Sequence, residues 1–394
     1  MADVLFASHS AELAGAERSL LALVDEAAAR GHAVTVWVPA DGPLTVALRS
    51  RPGRPVDVRV VANHWWMSRR GGGLVGAVRL AQVACDAAAV WWRLRSARPD
   101  VVVVNSAVAP AAMYAAAWRG IPVVTVVRES VRSNPTLRSL LPKDVLVGQI
   151  ARRSSLVVAV SAYVASQLGT PSVVIHPPVS PPVSPPAPPA VKPTAPVGTS
   201  AHRSGGPQPG ALRAVIAGTL GGDKGQSDAV AAVAACRDRD VPVTLDVFGA
   251  GTARELAVLR AQIADLGVER LVTVHGAVPD MPSRWSGYDV SLVTARNEAF
   301  GRVTAESLVA GTPVVGYACG GTVEILRPGG GVLVEPAPGR LADALCALAA
   351  DPDRLPALRA QARARGEQLS GARSARDLVD RIESVRPGRR RPRR

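Results

Sequence analysis

Short apolar runs alternate with segments of helical periodicity along the first 176 residues. The runs include an unbroken row of valines at 101–104 and the run 123–127, which predict strands buried on both faces of a sheet. Between such runs, apolar residues recur three and four positions apart, as in residues 15–30, and predict amphipathic helices. This alternation indicates a parallel sheet covered by helices on both faces.

A proline-rich segment interrupts the alternation at residues 177–211. Its dense prolines, beginning PPVSPPVSPPAPP, favour an extended interdomain linker, and the alternative is a ligand for a proline-recognising module. Strand and helix patterns resume over residues 212–385, and the arginine-rich residues 386–394 predict a disordered tail. The fold class that we expect is α/β, with two doubly wound, Rossmann-like domains at 1–176 and 212–385 whose strand ends can face a central cleft.

Composition narrows the class of protein. Of the 394 residues, 47% are hydrophobic and only 4% are aromatic, so the cores must be built from Ala, Val and Leu. The four cysteines are widely spaced and form no C-x-x-C pair, so we expect neither a zinc knuckle nor a redox dithiol. The chain shows no signal-peptide pattern and no run of about 18 uncharged apolar residues, which predicts a cytoplasmic protein.

Net charge is distributed unevenly. The formal charge of +14 includes 19 basic and 11 acidic residues over 1–176, against 19 basic and 21 acidic residues over 212–385. Such asymmetry indicates that the two halves meet different partners. Because the sequence shows no nucleic-acid-binding motif, the basic first half favours an anionic or membrane-surface partner over DNA or RNA.

Three glycine-rich stretches resemble nucleotide-binding motifs. The stretches 71–76 and 249–254 lack the strand or the third glycine of a dinucleotide fingerprint, and 218–225 (GTLGGDKG) lacks the G-K-[ST] of a P-loop. The last stretch nevertheless follows a predicted strand and precedes a predicted helix. Its backbone N–H groups and Lys224 can hold a pyrophosphate, and the alternative is a solvated lysine in a surface turn.

Two glutamates flank the start of a predicted helix in the second half. Glu298 lies in the loop after the predicted strand 290–293, and Glu306 follows in the first turns of the helix. Gly301 between them allows a ligand to approach the backbone, and the helix N-terminus supplies N–H donors. One carboxylate can accept hydrogen bonds from sugar hydroxyls and the other from ribose hydroxyls, so the pair suits a nucleotide sugar. Each glutamate alone could equally be a capping or surface acid.

The segment EAFGRVTAE at 298–306 resembles the E-x7-E motif of retaining glycosyltransferases with the GT-B architecture, a family 4-like group also called glycosyl transferases group 1. Further similar segments are AGAERSLLALVDEAAARGHAVTVWVP in the first half, and VFGAG, VHGAVPDM and GTPVVGYACGGTVEIL in the second. The resemblance implies metal-independent transfer of a sugar, with retention, from a nucleotide sugar to an acceptor hydroxyl. A UDP- or GDP-sugar is expected as the donor substrate, with no further cofactor.

The resemblance also implies roles for donor-side residues. Glu298 would contact the hydroxyls of the transferred sugar, Lys224 would neutralise the diphosphate leaving group, and Glu306 would bind the ribose. In the first domain, Gly15 would let backbone amides reach the phosphate. The other donor-side positions that it implies are Thr219, His275, Val278, Phe300, Gly301, Arg302, Gly321 and Glu324.

Two positions depart from the family pattern. Thr219 stands where members commonly carry a phosphate-binding arginine, and Arg302 or Arg128 could replace that cation. Asn105 stands where many members carry a histidine close to the acceptor. Because an amide cannot act as a general base, Asn105 fits a reaction in which the donor phosphate takes the proton.

Acceptor-side candidates lie in the first domain. His9 could replace the missing histidine, or it could be an ordinary loop residue. Glu129 joins Glu298 and Lys224 as a catalytic candidate, because it could orient an acceptor hydroxyl. The alternative is a salt bridge with a nearby arginine such as Arg128 or Arg132.

Tryptophans and arginines cluster in the same domain. Trp65 could stack on a sugar face, lie at a membrane interface or pack in the core. Residues 74–98 carry two further tryptophans and several arginines. They could form a core helix with a solvated basic edge, or contact anionic lipid at the membrane surface.

These features predict a bacterial glycosyltransferase that acts on a cell-envelope or lipid-linked glycan precursor, in the cytoplasm or at the inner face of the plasma membrane. Three alternatives stay open: transfer to a small secondary metabolite, a sugar-nucleotide epimerase on the same fold, and a regulatory protein that only binds nucleotide sugars. The presence of Lys224 together with both glutamates disfavours the last.

Overall fold

The computed structural model describes residues 1–51, 55–68, 73–179, 211–221, 224–278, 280–370 and 373–385. Within these residues the chain forms two compact units. The first comprises Met1–Pro178 and the helix Arg373–Ser384, and the second comprises the described residues from Val179 to Ser370. The predicted tail and most of the predicted linker lie outside the described residues.

A parallel sheet forms the centre of the first unit. Its strands are β1 (Asp3–Ala7), β2 (Ala33–Val38), β3 (Asp57–Val60), β4 (Val101–Val104), β5 (Val123–Val127), β6 (Leu156–Ala159) and β7 (Val173–Val174). Their spatial order is β3-β2-β1-β4-β5-β6-β7, so the chain builds the sheet outward from β1 on one side and from β4 on the other. The carboxyl ends of β1 and β4 are therefore neighbours at the switch point, where open parallel sheets bind ligands.

The second unit repeats this arrangement with six strands. They are β8 (Leu212–Ala217), β9 (Val243–Phe248), β10 (Val272–Gly276), β11 (Val290–Val293), β12 (Val314–Tyr317) and β13 (Gly331–Val334). Their order is β10-β9-β8-β11-β12-β13, and every neighbouring pair is parallel. Here the switch point lies between β8 and β11, and both strands end beside it.

Helices accompany both sheets. They are α1 (Gly15–Ala29), α2 (Pro43–Arg49), α3 (Gly73–Ala97), α4 (Ala111–Trp118), α5 (Lys143–Arg153), α6 (Ala162–Leu168), α7 (Gln226–Arg237), α8 (Ala253–Asp265), α9 (Met281–Arg284), α10 (Arg302–Val309), α11 (Gly320–Leu326), α12 (Pro338–Ala350), α13 (Arg354–Leu369) and α14 (Arg373–Ser384). The predicted α/β class is confirmed.

Burial explains why the valine-rich runs form central strands. Each valine of β4 is at most 1% exposed, and every residue of β5 is buried. Helical spacing brings Leu20, Leu23 and Val24 to one face of α1, and all three are fully buried. Both sheets thus bury their apolar side chains beneath helices, as the alternation of patterns predicts.

The helix α14 belongs to the first unit, although the sequence placed its residues at the end of the second domain. It packs against α1 through a stripe that includes Leu378, Val379 and Ile382, which are at most 4% exposed. Arg30 bonds the carboxylate of Asp380, and the ring of His32 lies 2.7 Å from a carboxylate oxygen of Glu383. The spacing of a stripe predicts a packed helix but does not specify the helix that it packs on, which is why the predicted boundary at 385 differs from the structure.

Among the described helices, α3 is the one that is long and apolar enough to span a membrane, with 25 residues. It contacts α4 in the first unit. Only 28% of the most apolar 18-residue stretch of α3 is buried, so most of the apolar surface of this stretch faces outward.

Replacing Leu378 with alanine should lower the free energy of unfolding by about 2–5 kcal/mol, because it removes buried methyl groups and leaves a cavity under α14. Arg373→Ala is the matched control, since that side chain is 92% exposed in the same helix. Its effect should stay within about 0.5 kcal/mol. Urea denaturation measures both, and equal stabilities of the two variants would contradict the packing of α14 described above.

Candidate functional site

A glycine-rich turn joins the end of β8 to α7 in the second unit. Gly225 has φ +69°, and a Cβ there would lie 2.6 Å from the Thr294 carbonyl oxygen. A Cβ on Gly249, which follows β9, would lie only 1.8 Å from the Gly218 oxygen. The absence of side chains at these positions lets the turn pack directly against the ends of both neighbouring strands.

Hydrogen bonds hold this turn in place. The Thr294 hydroxyl, just beyond β11, lies 2.8 Å from the carbonyl oxygens of both Lys224 and Gly225. The amide of Gln226 donates to the Thr219 oxygen at 3.1 Å. Thr219 thus contributes its carbonyl to the turn, and Lys224 is the positively charged residue that the described part of the turn carries.

Lys224 and Glu298 meet directly at the switch point. The Lys224 Nζ donates to Glu298 Oε2 at 2.7 Å, with the two side chains 36% and 19% exposed. The pair is half-buried, so its charges attract more strongly than a fully solvated pair but still reach solvent. The structure therefore brings together the cation and the first carboxylate that the sequence singled out.

The second carboxylate, that of Glu306, lies one turn into α10. Gly301 precedes this helix with φ +97°, a conformation that side chains disfavour. Arg302 opens the helix, and its Nε lies 2.7 Å from Glu306 Oε1 one turn later. Each predicted carboxylate therefore has a cationic partner: Lys224 for Glu298, and Arg302 for Glu306.

The start of α11 fixes the loop that carries Glu298. The Gly321 N–H donates to the backbone carbonyl oxygen of Glu298 at 2.7 Å. A Cβ on Gly321 would lie 2.4 Å from the backbone carbonyl oxygen of Phe300. Phe300 is itself only 5% exposed. Glu324, later in α11, acts electrostatically on Arg365, where it opposes the lowering of the Arg365 pKa by burial. Gly321 is thus a packing requirement of the Glu298 loop.

His275 and Val278 lie on the opposite side of β8, at the end of β10. His275 Nε2 lies 2.6 Å from Asp246 Oδ1, and the Tyr288 hydroxyl donates to the other carboxylate oxygen at 2.9 Å. Burial raises the pKa of Asp246, but these two hydrogen bonds, together with the charges of His275 and Arg213, lower that pKa overall. Val278 packs against the apolar cluster that contains Tyr288.

The acceptor-side candidates form a second cluster, in the first unit. Arg128, after β5, donates from Nη2 to the Asn105 side-chain oxygen at 2.8 Å and from Nε to the Asn105 carbonyl at 2.9 Å. Asn105 follows β4 and is completely buried. Its amide is therefore a support for the Arg128 guanidinium.

Glu129 is engaged within the same loops. One carboxylate oxygen accepts a hydrogen bond from the Ser106 hydroxyl, and the other lies 3.2 Å from the Arg128 N–H and 3.3 Å from the Ala107 N–H. Burial raises the pKa of Glu129 against the lowering effect of these donors. Both oxygens have partners, so the structure shows Glu129 joining the loops after β4 and β5.

His9 lies after β1 and is held by Trp65. The Trp65 indole N–H donates to the His9 oxygen at 2.7 Å, and the two rings lie 5.6 Å apart. Burial, assisted by the charge of Arg128, lowers the pKa of His9 to about 4. His9 is therefore neutral near neutral pH. Gly15 opens α1 beside this loop, and its carbonyl accepts a hydrogen bond from the Ser19 hydroxyl.

Sequence reasoning missed three acidic residues. Glu17 lies 3.3 Å from His9 Nδ1 and is 1% exposed, and burial raises its pKa. Asp246 partners His275. Asp228, on α7, accepts from the Tyr317 hydroxyl at 2.8 Å and pairs with Arg296. An acid inside an apolar strand, such as Asp246, was the available signal; Glu17 and Asp228 look like ordinary first-turn helix acids.

Two family models match the chain in succession. The model described as Glycosyltransferase Family 4 matches residues 13–181, and the model described as Glycosyl transferases group 1 matches residues 211–351. Together they span most of both units.

Curated relatives match shorter segments. The D-inositol 3-phosphate glycosyltransferase of Xylanimonas cellulosilytica is 38% identical over 144 residues, which are 35% of this chain and 34% of that protein. The 2-deoxystreptamine glucosyltransferase of Streptomyces kanamyceticus is 32% identical over 143 residues, 36% of each chain. The chain thus matches about a third of the length of these relatives.

Solved structures match over nearly the full length. Anabaena HepE in complex with UDP and glucose has a TM-score of 0.73 at 20% identity, covering 98% of this chain and 100% of that chain. Sucrose-phosphate synthase from Thermosynechococcus elongatus has a TM-score of 0.73 at 15% identity, covering 97% and 99%. These likenesses confirm the predicted GT-B fold. With both family models, they place the chain in the group 1 and family 4 glycosyltransferases of GT-B fold.

Proposed function

We propose that this protein transfers a sugar, with retention of configuration, from a nucleotide-sugar donor to an acceptor hydroxyl. The observation that carries the proposal is the Lys224–Glu298 pair at the ends of β8 and β11. Such a pair offers a cation for a diphosphate and a carboxylate for sugar hydroxyls at adjacent positions. The fold is similar to that of HepE, whose structure was solved in complex with UDP and glucose, and this similarity supports the same assignment.

Lys224 stabilises the leaving group in the proposed reaction. As the bond between the anomeric carbon and the phosphate oxygen breaks, negative charge grows on the diphosphate. Once Lys224 has turned from Glu298 to the bound diphosphate, it stabilises that charge in the transition state without further reorganisation. The N–H groups of the turn before α7 assist it, so the proposed reaction uses no metal ion.

The two carboxylates take different parts of the donor. Glu298, once Lys224 turns to the diphosphate, accepts hydrogen bonds from the sugar hydroxyls. Glu306 accepts from the ribose, and Arg302 becomes available as the phosphate-binding cation that Thr219 cannot supply. The proposed site is thus built from ion pairs that exchange partners when the donor binds.

The acceptor binds through the first unit in this proposal. Neutral His9 can accept a hydrogen bond from the acceptor hydroxyl, and Trp65 supplies a ring beside it. Because Asn105 cannot take a proton, the departing donor phosphate does so on the face where the acceptor attacks. Arg128, fixed by Asn105, supplies positive charge, and Glu129 positions these loops.

The proposed acceptor is a cell-envelope or lipid-linked glycan precursor, modified at the inner face of the plasma membrane. The excess of basic residues over 1–176 and the similarity to inositol 3-phosphate glycosyltransferases support an anionic acceptor. A small secondary metabolite is the second candidate, favoured by the similarity to the 2-deoxystreptamine glucosyltransferase.

A thermal-shift panel of UDP, GDP, ADP and dTDP, with their glucose conjugates, tests donor binding. The nucleotides that carry one of these bases should raise Tm. A ligand present at a concentration of about a hundred times its Kd stabilises the folded state by about 2.7 kcal/mol. Sugar transfer to an added acceptor then separates a transferase from an epimerase or a binding protein. If all these nucleotides leave Tm unchanged, the donor site is misassigned.

Lys224→Ala should lower kcat by about 10²–10³-fold, because the charge that it stabilises grows in the transition state. Lys224→Arg should recover part of the rate. Arg254→Ala, an exposed change on α8, is the control and should leave the rate unchanged. Steady-state kinetics on purified variants measure this, and an unaltered kcat in Lys224→Ala would exclude the proposed role.

His9 should make the protein less stable in acid. The unfolded histidine binds a proton below about pH 6.5, whereas the folded one does so only near a pKa of about 4. As pH falls through this window the unfolded state gains protons first, so stability decreases by about 1–2 kcal/mol. His9→Gln should remove that loss between about pH 7 and about pH 5 in urea denaturation. An equal loss in both proteins would contradict the burial of His9.

A further inference from the structure

Many apolar side chains of α3 face outward. Leu74 is 81% exposed, Val78 is 51% exposed and Trp92 is 64% exposed. Between Leu74 and Trp92 the other exposed positions hold alanines, valine, cysteine and tryptophan, with Gln82 as the polar exception. These exposed residues of 74–92 form the α3 face, which extends for about 27 Å at 1.5 Å per residue.

The acidic residue of α3, Asp86, lies on the buried side of the helix. Asp86 is 7% exposed, accepts from the His64 backbone N–H at 2.7 Å and lies 2.8 Å from His64 Nδ1. Val83 and Leu94 on this side are also buried. The packing of the inner side fixes the helix orientation, so the apolar outer face cannot turn away from solvent. A continuous apolar strip of this length marks a surface that contacts something.

Aromatic and cationic groups gather at the C-terminal end of the α3 face. The Arg95 guanidinium lies 4.6 Å from the centroid of the Trp92 ring, and that of Arg119 lies 5.0 Å from Trp91. Trp118, which precedes Arg119 in sequence, is 54% exposed. Tryptophans with adjacent arginines are typical of the boundary between lipid headgroups and acyl chains.

We propose that the α3 face docks on an anionic lipid bilayer, with the helix lying in the plane of the surface. Leu74, Val78 and Trp92 enter the acyl boundary, while Arg93 and Arg95 meet lipid phosphates. The helix does not cross the bilayer, because its inner side is part of the protein core. The docking does not depend on the proposed sugar transfer.

Vesicle sedimentation with the full chain tests this surface without donor or acceptor. The protein should bind phosphatidylglycerol-containing vesicles at least tenfold more tightly than pure phosphatidylcholine vesicles. The arginines at 386–394 can also attract anionic lipid, so binding is repeated at about 0.5 M salt, where charge attraction is largely screened. Leu74→Gln with Trp92→Gln should then abolish the remaining binding.

Val258→Gln is the matched control, because Val258 is an exposed apolar residue on α8 in the second unit. It should bind vesicles like the unchanged protein, and all variants should keep the same Tm since the changed side chains are exposed. Failure of the unchanged protein to bind, or equal binding by the α3 double variant, would overturn the proposal. So would self-association that the α3 variant abolishes in the absence of vesicle binding.

Discussion

The ion pair between Lys224 and Glu298 joins two loops that lie 74 residues apart in sequence. It forms because β8 and β11 are adjacent and parallel, so their carboxyl ends reach the same edge of the sheet. Glycines at 225 and 249 let the turn that carries Lys224 lie against the neighbouring strand ends. Since both charges still reach solvent, the lysine can exchange its carboxylate partner for a phosphate at moderate cost.

The same constraint produces the cluster of the first unit. There the switch point lies between β1 and β4, and it brings together His9, Asn105 and the loop of Arg128. Its polar groups are more deeply buried. Burial lowers the pKa of His9 and raises the pKa of Glu17, so it favours the neutral form of each side chain. One topological rule thus creates two clusters of different electrostatic character: a half-buried ion pair in the second unit, and more deeply buried groups with shifted pKa values in the first.

Patterns of local sequence were sufficient to predict the two sheets and to single out Lys224 and Glu298, whose side chains the structure brings together. Buried strands are visible as valine runs, and a turn at a strand end indicates where ligands meet the sheet. Partners chosen by tertiary packing were not visible. The burial of Glu17 and the contact of α14 with α1 depend on distances between elements that periodicity does not encode. The pairing of Glu306 with Arg302, four residues apart in α10, follows helical spacing instead. An outward apolar face on α3 is likewise invisible, because the same spacing describes a buried helix.

We propose that Lys224 leaves Glu298 for the diphosphate when the donor binds. The chain has three lysines, Lys143, Lys192 and Lys224, so the side-chain ¹⁵N signals of lysine-labelled protein can be assigned by single substitutions. The protein is titrated with the nucleoside diphosphate that raises its Tm. The account predicts that the Lys224 ammonium signal shifts as the ligand saturates, while the signals of Lys143 and Lys192 stay in place. Saturable binding that leaves the Lys224 signal unmoved would contradict it.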